Sequence, residues 1–318
     1  MMNMDFKHGT VYSIEEINSL AKKNQAEFLG GCEEEFHGKV RLAVGEILTK
    51  APHGGVIMLA GPSSAGKTTT SMILRRSFEA MGRQAVKVSL DDFFLPAEET
   101  PFDENGERDF EGIAALDLSE FKRCLASLAR TGQCDMPKFD FKTKRPSPYR
   151  QHIQIDDDDF LIIEGLHALN PLLTPKTDEI TVVKLLLNIE SAVEFDGKIC
   201  TGQGLRMFRR LVRDTRFRSI SVEDCLDLWD NVLDGERKNI IPYAALSDIT
   251  IDSFHKSEPG IIGARALPML KTITKDSPHY RMAAQYITLL EQVYKLDRDL
   301  LSADSLLTEF VGGGSYEY

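Results

Sequence analysis

The sequence predicts an α/β fold built on a mainly parallel five-stranded sheet, flanked by a helical N-terminal prelude and a helical C-terminal extension. Three observations carry this. Five apolar runs, "GGVIMLAG", "QAVKVSL", "DDFLIIEG", "EITVVKLLLNI" and "LSDITIDS", are set apart by helix-length segments, the pattern of βα units rather than of hairpins. The first run feeds a glycine-rich turn that opens a helix, and both ends of the chain carry helical patterning without strand-like runs.

In chain order, residues 1–53 read as a helical segment with no chemistry of its own. Within it, "SIEEINSLAKKNQAEFL" starts on the capping-box spacing of Ser13 and Glu16. Residues 54–255 hold the strands. "KTTTSMILRRSFEAMG" follows the first strand and ends at Gly82, while "DLSEFKRCLASLARTG" is a helix with Asp117 or Ser119 at its start and Gly132 past its end. "GLRMFRRLVRDTRFR" is a cationic helix, and "SVEDCLDLWDNVLDGE" a further one. The acidic run at 156–159 reads as a solvated turn before a strand. Residues 256–318 read as helical and close on "FVGGGSYEY", whose glycines imply a flexible tail or a tight turn.

The 318 residues are 42% hydrophobic and 27% charged, ample for a large core. A net charge of −11 argues against a nucleic-acid partner held by a general basic field. Five dispersed cysteines without a C-x-x-C pair fit reduced thiols better than disulfides or zinc. The opening "MMNMDFKHGT" lacks a signal-peptide core and no membrane-length apolar run occurs. The expectation is a soluble cytoplasmic enzyme with a small-molecule partner, no membrane partner and an open oligomeric state.

Gly61-Pro-Ser-Ser-Ala-Gly66-Lys67-Thr68 fits G-x-x-x-x-G-K-[ST] between a strand and a helix. Glycines there let backbone N–H groups turn inward around a phosphate at the positive end of the helix. The nucleotide-binding set is therefore Gly61, Ser63, Ser64, Ala65, Gly66, Lys67, Thr68 and Thr69, with Lys67 on the outer phosphates and the Thr68 hydroxyl on Mg²⁺. This is the P-loop of nucleotide-binding proteins.

Asp91 and Asp92 end the strand after the P-loop helix, so they project from the edge of the sheet where ligands gather. A carboxylate at that edge can take a proton from an attacking hydroxyl or bind Mg²⁺. Glu164 ends "FLIIEG" in a position suited to Mg²⁺, and His167 follows it as a substrate contact or a turn residue. Six arginines lie within thirteen residues: Arg206, Arg209, Arg210, Arg213, Arg216 and Arg218. Guanidinium groups match a transferring phosphoryl group, and a lid over about 203–220 would deliver them onto it.

Together "GPSSAGKTT", "SLDDFF", "RDFEGIAALDL", "PKFDFKTKR", "FLIIEGLHALNP", "FRRLVRD" and "NIIPYAALSDITI" resemble the uridine kinase and phosphoribulokinase group of P-loop kinases over about 55–253. The likeness is strongest to the kinase half of bacterial uridine-kinase-like proteins in which the kinase follows a TGS domain and an editing-like module; this chain has no room for those modules. The resemblance implies a P-loop NTPase, nucleoside-kinase-like, three-layer fold, with ATP as donor and Mg²⁺ as cofactor. It implies Asp91 as general base close to Mg²⁺, and Glu164 near the metal beside Thr68. Phe110 and Glu111 match a Phe-Asp pair on the ribose diol, and Arg210, Arg213 and Arg218 match lid arginines that close over phosphates and ribose. Lys67, Asp91, Arg210 and Arg213 form the expected catalytic set.

Three departures affect the acceptor. The tyrosine and histidine that read the pyrimidine in uridine kinases are replaced by Phe139 and Lys144, the tyrosine of the Asp-Ser-Phe-Tyr motif is Phe94, and a further lid arginine is Ile220. Sites built to hydrogen-bond a base lose discrimination steeply without those partners. The expected acceptor contacts are Asp91, Asp92, Phe94, Phe110, Glu111, Phe139, Lys142, Lys144, Arg145 and His167. The leading reading is a kinase of a nucleoside 5′-hydroxyl, of uridine or cytidine type. A kinase of another alcohol (sugar, polyol or pantothenate-like acid) and a nucleotide-dependent regulatory protein are its rivals, the last lowered by the absence of an Asn-Lys-x-Asp guanine reader.

Overall fold

A computed structural model describes residues 9–102, 106–174 and 180–316. The ends of the two terminal segments read from the sequence, 1–8 and 317–318, lie outside the described residues. All five apolar runs form strands of one sheet: β1 (Gly55–Ala60), β2 (Ala85–Ser89), β3 (Phe160–Glu164), β4 (Val182–Asn188) and β5 (Ile249–Asp252). Their order is β5–β4–β1–β3–β2, and every neighbouring pair is parallel. Parallel pairing requires crossovers, and helices supply them on both faces.

Side chains of β1 alternate between two cores. Ile57 and Leu59 pack with Phe36, Val40 and Ile47 of helix α2 (Gln25–Lys50) and Leu74 and Phe78 of helix α3 (Lys67–Glu79). Val56, Met58 and Ala60 pack with Phe121, Leu125 and Leu128 of helix α4 (Leu118–Thr131). The result is three layers, with β1 central and the carboxyl ends of all strands on one edge, where such folds bind ligands. Asp117 accepts from the Glu120 amide to start α4, and Gly132 (φ 67°) ends it.

A third core joins segments far apart in sequence. Ile14 and Ile17 of helix α1 (Ile14–Lys23) meet Leu205, Phe208 and Leu211 of helix α5 (Gly202–Phe217) and Trp229 of helix α6 (Val222–Asn239). Ile261, Ile262, Leu289, Phe310 and Val311 complete it. The helical prelude, the arginine helix and the C-terminal extension thus share one hydrophobic core. Strand Val11–Ser13 also pairs with Ala192–Phe195, and residues 133–136 pair antiparallel with 151–154, two small sheets that the apolar runs do not announce.

Of the last glycines, Gly312 and Gly313 take positive φ of 73° and 76°, directly after the buried Phe310 and Val311. In the acidic run, Asp159 is buried and accepts from the Gln84 and Asp156 amides, so one of its four members is structural.

Candidate active site

The P-loop leaves β1 at Gly61 and enters α3 at Lys67. Gly66 takes φ 93°, a left-handed conformation open to glycine, and a Cβ there would collide with Leu306. Ser64 also has positive φ (60°), and its buried hydroxyl has no partner among the described residues. Lys67 folds back to donate to the Gly61 carbonyl at 2.7 Å and the Pro62 carbonyl at 3.2 Å.

Register places the acids around that lysine. Glu164 sits opposite Leu59 on one side and Ser89 on the other, so it leaves the sheet between the P-loop and Asp91. Ser89 caps the short turn Leu90–Phe93 by accepting from the Asp91 amide at 3.3 Å. Burial pushes the Lys67 ammonium below its usual range, opposed by Glu164, Asp91, Glu309 and Glu236 in that order. Asp91 reaches solvent at the cleft mouth yet is raised to about 6, first by desolvation and then by Glu164, with Lys67 opposing. Glu164 is paired with Lys87 at 3.3 Å. The geometry thus brings together Lys67, Asp91 and Glu164, with Thr68 beginning the same helix.

Glu111 joins this group. Desolvation raises its carboxyl and Arg210 lowers it. Its backbone carbonyl accepts from Asn239 Nδ2 at 3.0 Å and from an imidazole N–H of His167, whose buried Nδ1 has no partner among the described residues. Burial lowers His167 to about 4, so the ring is neutral and positions the Glu111 loop.

Five of the six arginines meet the P-loop, Asp214 or both. Arg206 donates to the Ser63 carbonyl at 3.1 Å and makes a bidentate pair with Glu236. Arg209, fully buried, donates to the Ser64 and Ala65 carbonyls and forks onto Glu258 with two 2.7 Å bonds. Arg210 reaches the Ser63 hydroxyl at 3.2 Å. All three thus bond directly to the P-loop. Arg213 and Arg218 instead converge with Arg210 on the buried Asp214. The helix read as a lid is packed here by Leu205, Phe208, Leu211 and Val212, all buried.

The remaining expected acceptor residues spread along one loop. Asp92 does not open into the cleft: it pairs with Lys138 at 2.8 Å and accepts from the Phe139 amide at 3.3 Å, tying that loop to the end of β2. Phe139 meets Phe94 and Phe141 edge-on at 5.7 and 5.2 Å. Lys144 (φ 54°) lies 6.0 Å from the exposed Phe110 ring. Arg145 pairs with Glu98 at 2.6 Å, and the exposed Lys142 donates its amide to Asp140.

Sequence reasoning placed Arg206 and Arg209 on a lid rather than under the P-loop, and it missed their partners Glu236 and Glu258 as well as Glu309, which bonds Thr69. The i, i+3 spacing of Arg206 and Arg209 among apolar residues signals a buried face, but no local pattern names their distant carboxylate partners.

The phosphoribulokinase / uridine kinase family matches residues 56–258, more than half of the chain. Uridine kinase-like protein 4 of Arabidopsis thaliana is 28% identical over 62% of this chain and 38% of its own length, so the chain spans well under half of that relative. The uridine kinase of Staphylococcus haemolyticus is 25% identical over 62% of this chain and 86% of its own. A possible uridine kinase from Bacillus stearothermophilus aligns in structure with 69% of this chain and 100% of its own, at 19% identity and a TM-score of 0.44. No helix among the described residues is long and apolar enough to cross a membrane. With a P-loop on the central strand of a parallel sheet and the family matched across the sheet-forming region, the chain belongs to the phosphoribulokinase / uridine kinase family and is a phosphotransferase acting on an alcohol group.

Proposed function

We propose that the protein transfers the γ-phosphoryl of ATP, with Mg²⁺, to the 5′-hydroxyl of a uridine- or cytidine-like nucleoside in the cytoplasm. The observation that carries this reading is Asp91, a carboxyl tuned to about 6 beside Lys67 and Glu164 at the mouth of the P-loop. A base with that affinity is ionised near neutrality yet still takes a proton from an attacking hydroxyl. Mg²⁺ fits the donors present: the Thr68 hydroxyl and the Asp91 and Glu164 carboxylates are hard oxygens. Among the described residues no three His, Cys, Asp or Glu side chains converge as a cage, which suits an ion that takes one or two carboxylates and otherwise substrate phosphates and water. Bound there, it would neutralise charge on the phosphates; Lys67 and Arg210 do the same from the protein side.

The aromatic group of Phe94, Phe139 and Phe141, anchored through Asp92 one residue beyond the base, supports a planar acceptor. Glu111 beside Arg210 supports a diol contact. A non-nucleoside alcohol is the second reading, favoured by the loss of a base-reading tyrosine and histidine at Phe139 and Lys144.

The test is ADP release by purified protein across nucleosides, sugars and polyols, beside Asp91→Ala. Nucleoside-dependent release lost in the variant is expected. Phosphorylation of a sugar or polyol alone would overturn the acceptor, and acceptor-independent hydrolysis untouched by Asp91→Ala would overturn the role of the base.

A further inference from the structure

We infer that Glu309 is a built-in competitor for the phosphate seat of the P-loop, so that nucleotide binds by displacing its carboxylate. The inference rests on the reading of Gly61–Thr69 as the nucleotide site.

Thr69 lies in the first turn of α3, where backbone amides have no partner within the helix. The helix starts on Gly66 and has no side-chain cap of its own. Glu309 fills the position from 240 residues away: its Oε2 accepts from the Thr69 amide at 3.1 Å and from the Thr69 hydroxyl at 2.8 Å. An anion bound by an N–H and an O–H at the start of a P-loop helix occupies the place such helices offer a phosphate. In the P-loop that leads into this helix, the buried Ser64 hydroxyl has no partner among the described residues. The carboxylate also adds negative field at Lys67, the cation that would meet the outer phosphates.

The segment that carries Glu309 is anchored on both sides. Leu306, Leu307, Phe310 and Val311 are completely buried, with Leu306 against Gly66. Arg216 donates to the Val311 carbonyl at 2.9 Å, and Arg76 stacks over Tyr316 at 4.4 Å while bonding its hydroxyl. Such an anchored segment stays in place while one side chain rotates away. Nucleotide therefore gains the Thr69 donors only after breaking two charge-assisted bonds, and it then sits beside a like charge. Both effects weaken binding.

The experiment is calorimetric titration of ADP and of inorganic pyrophosphate into the full chain, as wild type, Glu309→Ala, Glu309→Gln and Lys67→Ala. Losing the competitor is expected to tighten ADP binding at least about fivefold in Glu309→Ala, the scale of a charge-assisted bond only partly recovered. Glu309→Gln, which keeps an acceptor and loses the charge, falls between. Unliganded Glu309→Ala melts lower than wild type, yet ADP raises its melting temperature more. ADP affinity equal to or weaker than wild type in both Glu309 variants would overturn the inference. If Lys67→Ala abolishes ADP binding in that case, the P-loop reading stands and this inference alone falls. If no variant and no wild type binds ADP, both fall together.

Discussion

Arg209→Met tests whether the arginine helix is the foundation of the P-loop. Arg209 and Glu258 are 0% and 1% exposed at their side chains, so both charges are withdrawn from water. The guanidinium also donates to the carbonyls of Ser253 at 2.8 Å, Ala65 at 3.2 Å and Ser64 at 3.3 Å, and lies 5.1 Å from the Phe310 ring. Methionine fills similar length without charge or donors, leaving a buried carboxylate unpaired and these carbonyls unsatisfied. Breaking one side of a buried pair costs about 3–5 kcal/mol, which for a domain of this size lowers the melting temperature by roughly 10 °C. Urea denaturation and a thermal scan read the loss. The double variant Arg209→Met/Glu258→Gln removes the stranded charge and is expected to recover most of the stability. It does not restore the bonds to Ser64 and Ala65, so ADP affinity stays below wild type. A loss under about 1 kcal/mol in the single variant, or a double variant as unstable as the single one, would refute this account.

Three further outcomes follow from the cleft. The rate at low acceptor concentration rises about tenfold per pH unit up to about 6 and then levels, because Asp91 must be ionised to act and its carboxyl is raised to that value; a profile flat from pH 5 to 8 would remove it as the base. The same shift fixes a sign for stability: a carboxyl raised in the folded state favours folding at pH below its unfolded value and loses that contribution as pH passes about 6. Asp91→Asn should therefore melt higher relative to wild type at pH 7.5 than at pH 5. Asp92→Ala frees Lys138 and the Phe139 amide, costing about 1–2 kcal/mol and raising the acceptor KM while leaving ADP affinity unchanged; an unaltered acceptor KM would detach this loop from the acceptor.

The sequence by itself determined what short-range chemistry dictates. Each apolar run found its strand because β-branched and aliphatic residues, bounded by turns, bury themselves in a sheet covered on both faces. Gly66 had to open α3 because its φ of 93° excludes side chains. Asp117 and Gly132 bracket α4 through bonds within a few residues. Asp91 and Glu164 were readable as strand-end acids, since a parallel sheet sends every strand's carboxyl end to one edge. Asp92, one residue from Asp91, carries the same sequence signal, yet the turn Leu90–Phe93 aims it at Lys138 instead. Only the tertiary structure decided which arginines meet phosphate-binding backbone and which meet Asp214, because one helix presents Arg206 and Arg209 inward while Arg213 and Arg218 share a single buried acid. It also decided that the C-terminal segment lies on the P-loop. Glu309 and Thr69 are 240 residues apart, and a contact at that separation is set by how the three cores pack together, for which no local pattern exists.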